Sequence, residues 1–290
     1  MSLTTLISTD ALCERLADPS TVIVDCRVDL RDATWGRRAY LERHIPGAVF
    51  VDLDRDLSAP RTGRNGRHPL PAPETLAEVF GRLGIDDSVQ VAAYDQGGGM
   101  FAARLWWSLR WLGHERVAVL DGGFARWEAQ GRPVRSGEEV RRPRTFRPHV
   151  QQGWTADADE VARAIRSGAS VLVDARAPAR YRGDEETLDP VAGHIPGAVN
   201  YFFERSLTAR ETFRPAAELR AALTEVLGGA SADRVICYCG SGVTACHTIL
   251  AMEIAGLPGA RLYPGSWSEW CSDPARPIAT GNESMPRGTA

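Results

Sequence analysis

The sequence predicts an α/β protein made of two similar halves, each a mostly parallel sheet with helices on both faces. Short apolar runs alternate with stretches of helical spacing, an order that favours parallel strands joined by helices. The hexapeptide HIPGAV at residues 44–49 recurs letter for letter at residues 194–199. The segments around the two copies recur in the same order, so we interpret the chain as a tandem repeat of one structural unit.

Each half begins with an apolar strand that ends in aspartate and is followed, two residues later, by arginine. After HIPGAV comes another apolar strand that leads into a glycine-rich turn, and each half then closes on a related short segment. The paired segments are VIVDCR (22–27) and VLVDAR (171–176), VAAYD (91–95) and VICYC (235–239), and LDGGF (120–124) and YPGSW (263–267). HIPGAV and these three segments recur in the same order in both halves, which indicates two homologous domains.

Helices are expected at residues 73–83 and 215–227, which both begin with proline, a residue suited to the first helical turn. A third follows the turn after Cys239, at residues 243–255. Residues 131–153 are rich in arginine, proline and glutamate and show no period, which is typical of an exposed connector. We therefore predict domains at residues 1–135 and 154–290, joined by a linker at 136–153.

Composition excludes several function classes. The 290 residues are 43% hydrophobic and 24% charged, with a formal net charge of −3, so nothing favours binding to nucleic acid or a membrane. The N-terminus lacks the basic start and apolar stretch of a signal peptide, and no apolar run approaches a membrane span. Six cysteines are too sparse for a disulfide framework, so we expect a reducing, cytoplasmic location.

The turn after the strand at 235–238 reads Cys239-Gly240-Ser241-Gly242-Val243-Thr244. A cysteine here stands where strand becomes helix, facing backbone N–H groups and the positive end of a helix dipole. Gly240 and Gly242 let the backbone curl closely around an anionic sulfur. The pattern predicts a thiolate nucleophile at Cys239.

Cys237, Cys246 and His247 lie close to Cys239 in sequence, which raises the alternative of a metal site. The spacing lacks the paired Cys-x-x-Cys knuckles of structural zinc, so we predict neither metal nor cofactor.

These motifs resemble the rhodanese (sulfurtransferase) family in its tandem two-domain form, and the resemblance covers nearly the whole chain. The uncharged loop at 239–244 is similar to that of 3-mercaptopyruvate sulfurtransferases, whereas thiosulfate sulfurtransferases usually carry basic residues directly after the cysteine. The resemblance implies two rhodanese-like domains and ping-pong sulfur transfer through a Cys239 persulfide. The acceptor would be cyanide or a thiol, such as a thioredoxin-like dithiol.

In the first half, Asp95 stands where the second half has its cysteine. An aspartate cannot form a persulfide. The resemblance therefore implies that the first domain is catalytically inactive and the second is catalytic.

The resemblance also implies a donor site. Arg180 would hold the anionic end of the donor, because a guanidinium fork suits a carboxylate or sulfonate. Gly240, Gly242, Val243 and Thr244 would line the same site. Mercaptopyruvate enzymes usually carry a second arginine soon afterwards, but residues 185–190 contain none. Arg182 does not occupy the matching position, and whether it reaches into the site in place of that arginine is left open.

Three further residues match a proposed proton relay of mercaptopyruvate enzymes: Asp54, His68 and the loop serine, Ser241. Histidine suits such a role because it titrates near neutral pH. The alternatives are helix capping by Ser241 and, for His68, a hydrogen bond to a neighbour. His44 and His194 belong to the repeated motif of both halves, so we expect them to be structural.

Two other functions fit the sequence less well. A cysteine phosphatase would need a longer loop closed by arginine, but Ala245 stands where that arginine would be. A non-catalytic sulfur-sensing or scaffold protein would be expected if neither half kept a cysteine, and Cys239 is present. We predict 3-mercaptopyruvate as donor, with thiosulfate as the alternative.

Overall fold

The computed structural model describes residues 3–282, which form two compact units. The first unit contains the described residues up to Ala59, together with Leu70–Gln151 and Leu207–Phe213. The second contains Pro60–Pro69, Gln152–Ser206 and the described residues from Arg214 onward. Each unit thus takes one short segment from the other half of the sequence. The domain boundaries drawn at 135 and 153 stay a prediction.

In the first unit, the described residues form a five-stranded sheet in the order β1-β5-β4-β2-β3, with every neighbouring pair parallel. Its strands are β1 Leu6–Ile7, β2 Thr21–Asp25, β3 Ala48–Phe50, β4 Gln90–Tyr94 and β5 Val117–Leu120. Its helices are α1 Thr9–Cys13, α2 Trp35–Glu42, α3 Pro73–Arg82, α4 Ala102–Trp111 and α5 Gly123–Ala129.

In the second unit, the sheet has four strands within the described range, in the order β7-β6-β8-β9, again all parallel. Its strands are β6 Val171–Asp174, β7 Val199–Asn200, β8 Val235–Tyr238 and β9 Arg261–Leu262. Its helices are α6 Ala158–Ser167, α7 Pro178–Arg182, α8 Ala216–Leu227, α9 Thr244–Ile254 and α10 Ser266–Trp270, with 3-10 turns at Phe203–Ser206 and Ala232–Arg234.

The predicted parallel α/β class is confirmed. The predicted strands are β2, β4, β6 and β8, and the predicted helices are α3, α8 and α9, each within a residue or two of its expected ends. Pro215 precedes α8 in an extended conformation and does not form its first turn, because the helix begins at Ala216. Across the described residues, no helix has the length and apolar character needed to span a membrane.

The repeated aspartate and arginine form a buried ion pair at the end of β6 in the second unit. Arg176 donates to Asp174 at 2.6 Å and to the carbonyl of Gly193 at 2.7 Å. Tyr238, at the end of β8, accepts the N–H of Ile195, the second residue of HIPGAV, at 3.2 Å. These contacts hold the ends of β6 and β8 beside the motif, where ligands of parallel sheets bind.

The first unit repeats this arrangement with Asp25, Arg27, Tyr94 and Ile45. The motif histidines are buried in both units, and His194 Nδ1 lies 2.8 Å from the carbonyl oxygen of Tyr181. His44 makes the equivalent contact with Tyr40 at 2.7 Å. Presence of the same contacts in both units agrees with a structural role.

Candidate active site

Cys239 directly follows β8 and lies in the turn that leads into α9. The thiol is buried, and the N–H of Gly242 donates to its Sγ at 3.2 Å. Gly242 has φ +79°, a left-handed conformation that turns its N–H back toward the sulfur and that suits glycine. Val243 is buried, and Thr244 begins α9. The sulfur thus lies directly before a helix N-terminus with a backbone N–H directed at it, an arrangement of the kind that binds anions.

The closing segment of the second half holds this turn in place. Ser266 Oγ accepts the N–H of Cys239 at 3.1 Å and donates to the carbonyl of Tyr263 at 2.9 Å. The N–H groups of Trp267 and Ser268 donate to the carbonyls of Cys239 and Gly240 at 2.9 and 3.0 Å. The closing segment therefore holds the backbone N–H and carbonyl of Cys239 and the carbonyl of Gly240.

Ser266 was missed in the sequence analysis, although the repeat contains a signal for it. The closing segment reads Gly122-Gly123 in the first half and Gly265-Ser266 in the second. Ser266 has φ +54°, close to the +58° of Gly123. Ser266 thus adopts a conformation that favours glycine while its hydroxyl makes the two hydrogen bonds described above.

In the first unit, Asp95 fills the turn that Cys239 occupies in the second. The N–H groups of Phe124 and Ala125 donate to the carbonyls of Asp95 and Gln96 at 2.8 and 2.9 Å, as the closing segment does around Cys239. The Asp95 carboxylate accepts hydrogen bonds from backbone N–H groups of its own turn: Gly97 at 3.1 Å, Gly99 at 3.0 Å, Phe101 at 2.7 Å and Ala102 at 3.2 Å.

Burial raises the pKa of Asp95 above its usual value, against the opposing effect of these amides. The first turn therefore uses its N–H groups to hold a side chain of the protein itself, and the catalytic inactivity of this half stays a prediction.

Ser241 and His68 lie in contact, as the resemblance implied. His68 Nδ1 is 2.7 Å from Ser241 Oγ, and both side chains are buried. His68 belongs to Pro60–Pro69, the segment that the second unit takes from the first half of the sequence. The hydrogen bond joins a titratable ring to a hydroxyl two residues from Cys239, although their role in proton transfer stays a prediction.

Asp54, the third member of the predicted relay, belongs to the first unit. Its side chain is exposed, and its N–H donates to the carboxylate of Asp52 at 2.9 Å. Its part in the relay stays a prediction.

Arg180 lies in the short helix α7. Its Nη2 donates to Glu186 at 2.8 Å and to Asp189 at 3.1 Å, and its Nε donates to Glu186 at 3.2 Å. Burial acts to raise the pKa of Glu186, but hydrogen bonds from Arg180 and from nearby N–H groups outweigh it and lower that pKa. Arg180 is thus held beside the loop by the carboxylates of Glu186 and Asp189.

The model of the Rhodanese-like domain matches this chain twice, at residues 8–130 and 157–273. The chain belongs to the rhodanese family.

Relatives within the family support the same conclusion. A Pseudomonas aeruginosa protein named as a probable 3-mercaptopyruvate sulfurtransferase is 46% identical over 284 residues, which cover 97% of this chain and 100% of that protein. A thiosulfate sulfurtransferase from Rattus norvegicus is 35% identical over 276 residues, with 91% of each chain covered.

Among solved structures, the crystal structure of SseA from Escherichia coli, described as a 3-mercaptopyruvate sulfotransferase, matches with a TM-score of 0.79 and 32% identity. It covers 91% of this chain and 99% of that one. The predicted fold class, two rhodanese-like domains, and the predicted enzyme class, a sulfurtransferase, are confirmed.

Within this rhodanese fold, the side chain of Arg182 pairs with a carboxylate that does not contact Arg180. Its Nε donates to Asp184 at 2.7 Å, and the side chain is one-third exposed. The guanidinium that lies beside Arg180 instead belongs to Arg67, which the sequence analysis did not single out. Both Arg67 and Arg180 form ion pairs with the buried carboxylate of Asp189.

The other thiols near Cys239 are used for packing and for a local hydrogen bond. Cys246 Sγ donates to the carbonyl of Gly242 at 3.2 Å, and Cys237 is buried in β8, where burial raises its pKa. Every cysteine in the part of the chain that the structure describes is free. Among the same residues, no group of three or more His, Cys, Asp or Glu side chains is arranged to hold a metal ion.

Proposed function

We propose that this sulfurtransferase takes a sulfur atom from 3-mercaptopyruvate onto Cys239 and passes it to a thiol or to cyanide. The observation that carries the proposal is the buried Sγ of Cys239 within hydrogen-bond distance of the Gly242 N–H, directly before α9. A persulfide is an anion at neutral pH, and this turn offers N–H groups and a helix N-terminus to stabilise it.

In the first half-reaction, the Cys239 thiolate attacks the sulfur of the donor. The new S–S bond forms as the C–S bond breaks, and the electron pair of that bond leaves on the pyruvate enolate. A proton from the Ser241 hydroxyl, replaced from His68, converts the enolate into pyruvate. The 2.7 Å contact between these two side chains supports this route.

In the second half-reaction, an acceptor thiolate attacks the outer sulfur of the persulfide. The S–S bond breaks, its electron pair returns to Cys239 as the thiolate, and the acceptor leaves as a persulfide. A thioredoxin-like dithiol would then release the sulfur by forming its own disulfide, whereas cyanide would leave as thiocyanate. A reducing cytoplasm would keep Cys239 available for the next cycle.

Thiosulfate is the second candidate donor. The identity to a thiosulfate sulfurtransferase, 35%, favours it, as does the lack of arginine at residues 185–190. The uncharged loop after Cys239 favours mercaptopyruvate. Comparison of kcat/KM for the two donors in one cyanide assay decides between them, and a thiosulfate value well above that for mercaptopyruvate would overturn the donor proposed here.

Intact-mass analysis tests the persulfide itself. The wild-type protein, incubated with each donor in turn, should gain one sulfur atom, and peptide mapping should place it on Cys239. Cys239→Ser should gain none. Cys13→Ser, which removes a half-buried thiol of the first unit, should gain as much as the wild type. If the wild type gains no sulfur from either donor, or gains it at another cysteine, the proposed function is wrong.

A further inference from the structure

Arg67 reaches the active loop from a part of the chain that sequence spacing does not connect with it. It lies in Pro60–Pro69, within the second unit, and its backbone N–H donates to Ser268 Oγ at 3.0 Å. Ser268 in turn donates its own N–H to the carbonyl of Gly240. The backbone of Arg67 is therefore fixed to the same closing segment that holds the Cys239 loop.

The guanidinium of Arg67 is held next to that of Arg180 by a shared carboxylate. Asp189 Oδ1 pairs with Arg67 Nη1, and Asp189 Oδ2 pairs with Arg180 Nη2 at 3.1 Å. The Asp189 side chain is 2% exposed, so this bridge is shielded from water. Two like charges lie side by side because a buried carboxylate joins them.

Both guanidinium groups face Gly240, the residue after the nucleophile. A Cβ placed on Gly240 would lie 2.7 Å from Arg67 Nη2, and 3.4 and 3.5 Å from Arg180 Nη1 and Nη2. Asp189 takes the Nη1 side of Arg67, so Nη2 is the edge turned toward the loop. Glu186 takes the Nε and Nη2 side of Arg180, so its Nη1 faces the same point.

The charges of this cluster suit an incoming anion. Asp189 and Glu186 hold the guanidinium groups of Arg67 and Arg180 in place, and a third guanidinium, that of Arg176, lies 3.5 Å from Glu186. A guanidinium has five N–H donors, and a carboxylate bound along one edge leaves others for a second acceptor. An anion between Arg67 Nη2 and Arg180 Nη1 would lie beside Gly240 and next to Cys239.

We propose that Arg67 is a second donor-binding residue, which together with Arg180 holds the carboxylate of a 2-oxo-3-thiol acid beside Cys239. This inference rests on the function proposed above and names the residue that completes its anion site. It also explains how the chain can use a carboxylate donor although residues 185–190 contain no arginine.

Steady-state kinetics of Arg67→Met and Arg67→Lys test the assignment, with Arg182→Met as the matched control. Arg67→Met should raise the KM for 3-mercaptopyruvate roughly 10-fold to 100-fold, as expected when a charged hydrogen bond to substrate is removed, with a much smaller change in kcat. Arg67→Lys should recover part of the loss because the charge returns without the fork. Arg182→Met should behave as the wild type.

Pyruvate binding, measured by calorimetry, provides a readout that does not depend on catalysis. The affinity for pyruvate should fall in Arg67→Met and stay unchanged in Arg182→Met, with thermal melting of each variant to establish that it is folded. If folded Arg67→Met keeps the wild-type KM for both donors and the wild-type affinity for pyruvate, the assignment of Arg67 is wrong. A rise in the KM for thiosulfate alone would also overturn it, because the site would then select the inorganic donor.

These outcomes are separable from failure of the proposed function. If the wild type gains sulfur on Cys239 and Arg67→Met is indistinguishable from it, only the role of Arg67 is lost. If the wild type gains no sulfur from any donor, the proposed function itself is wrong.

Discussion

Asp95→Ala should destabilise the protein strongly while leaving sulfur transfer nearly intact. The substitution removes an acceptor of four N–H bonds with N···O distances between 2.7 and 3.2 Å. At about 1.5 kcal/mol for each bond to a charged acceptor, the gross loss is about 6 kcal/mol.

The net loss is smaller than this sum. Burial raises the pKa of Asp95, and a carboxyl whose pKa rises on folding loses part of its stabilising contribution as the pH increases through that folded pKa. We therefore expect the free energy of unfolding at neutral pH to fall by about 3 to 5 kcal/mol, because four backbone N–H groups lose a charged acceptor and the burial of that charge is relieved.

Urea denaturation measures this loss, and the cyanide assay measures activity on the same preparation. Cys239→Ala is the matched control, because at the equivalent position it removes a single hydrogen bond from Gly242 to sulfur. It should cost less stability and abolish transfer, which is the reverse of the pattern expected for Asp95→Ala. A loss below about 1 kcal/mol for Asp95→Ala would refute the idea that its carboxylate organises the turn. A loss of turnover equal to that of Cys239→Ala would refute the division between an inert and a catalytic half.

Three other substitutions have defined outcomes. Ser241→Ala should lower kcat with mercaptopyruvate about 100-fold in the cyanide assay, but should change thiosulfate turnover little, because sulfite leaves without needing a proton; equal losses for both donors would contradict the proton route. Arg180→Lys should raise the KM of both donors, since an ammonium cannot replace the fork; unchanged constants would remove Arg180 from the donor site. Glu186→Gln should lower the free energy of unfolding, measured in urea, at pH values above 4.5. The difference from the wild type should disappear as the pH falls through the pKa of Glu186 in the folded protein, which lies below its usual value. A difference that does not change with pH would contradict ionisation of Glu186.

The fold could be predicted because its signals are local. The apolar run at 171–174 ends in Asp174, and the run at 235–238 is followed directly by Cys239, so these residues mark where the strands end and the turns begin. The one-residue shift at Pro215 arises because its ψ of 142° is not helical, so Pro215 caps α8 and the helix begins at Ala216.

The candidate site was predictable only where its residues lie within the loop or match a family motif. Cys239 follows from the strand and the glycines, and the contact of Ser241 with His68 followed from the resemblance. Arg67 could not be found, because nothing in residues 60–69 shows that this segment folds onto the second unit. The position of this segment depends on tertiary packing, which leaves no periodic signal in the sequence.

Interleaving of the chain has a consequence for any attempt to divide the protein. A fragment that starts at residue 154 would keep Cys239, Ser241 and Arg180, but would lose the segment Pro60–Pro69 with its histidine and arginine. Such a fragment would keep the nucleophile but lose the two side chains proposed here to supply a proton and a second cation.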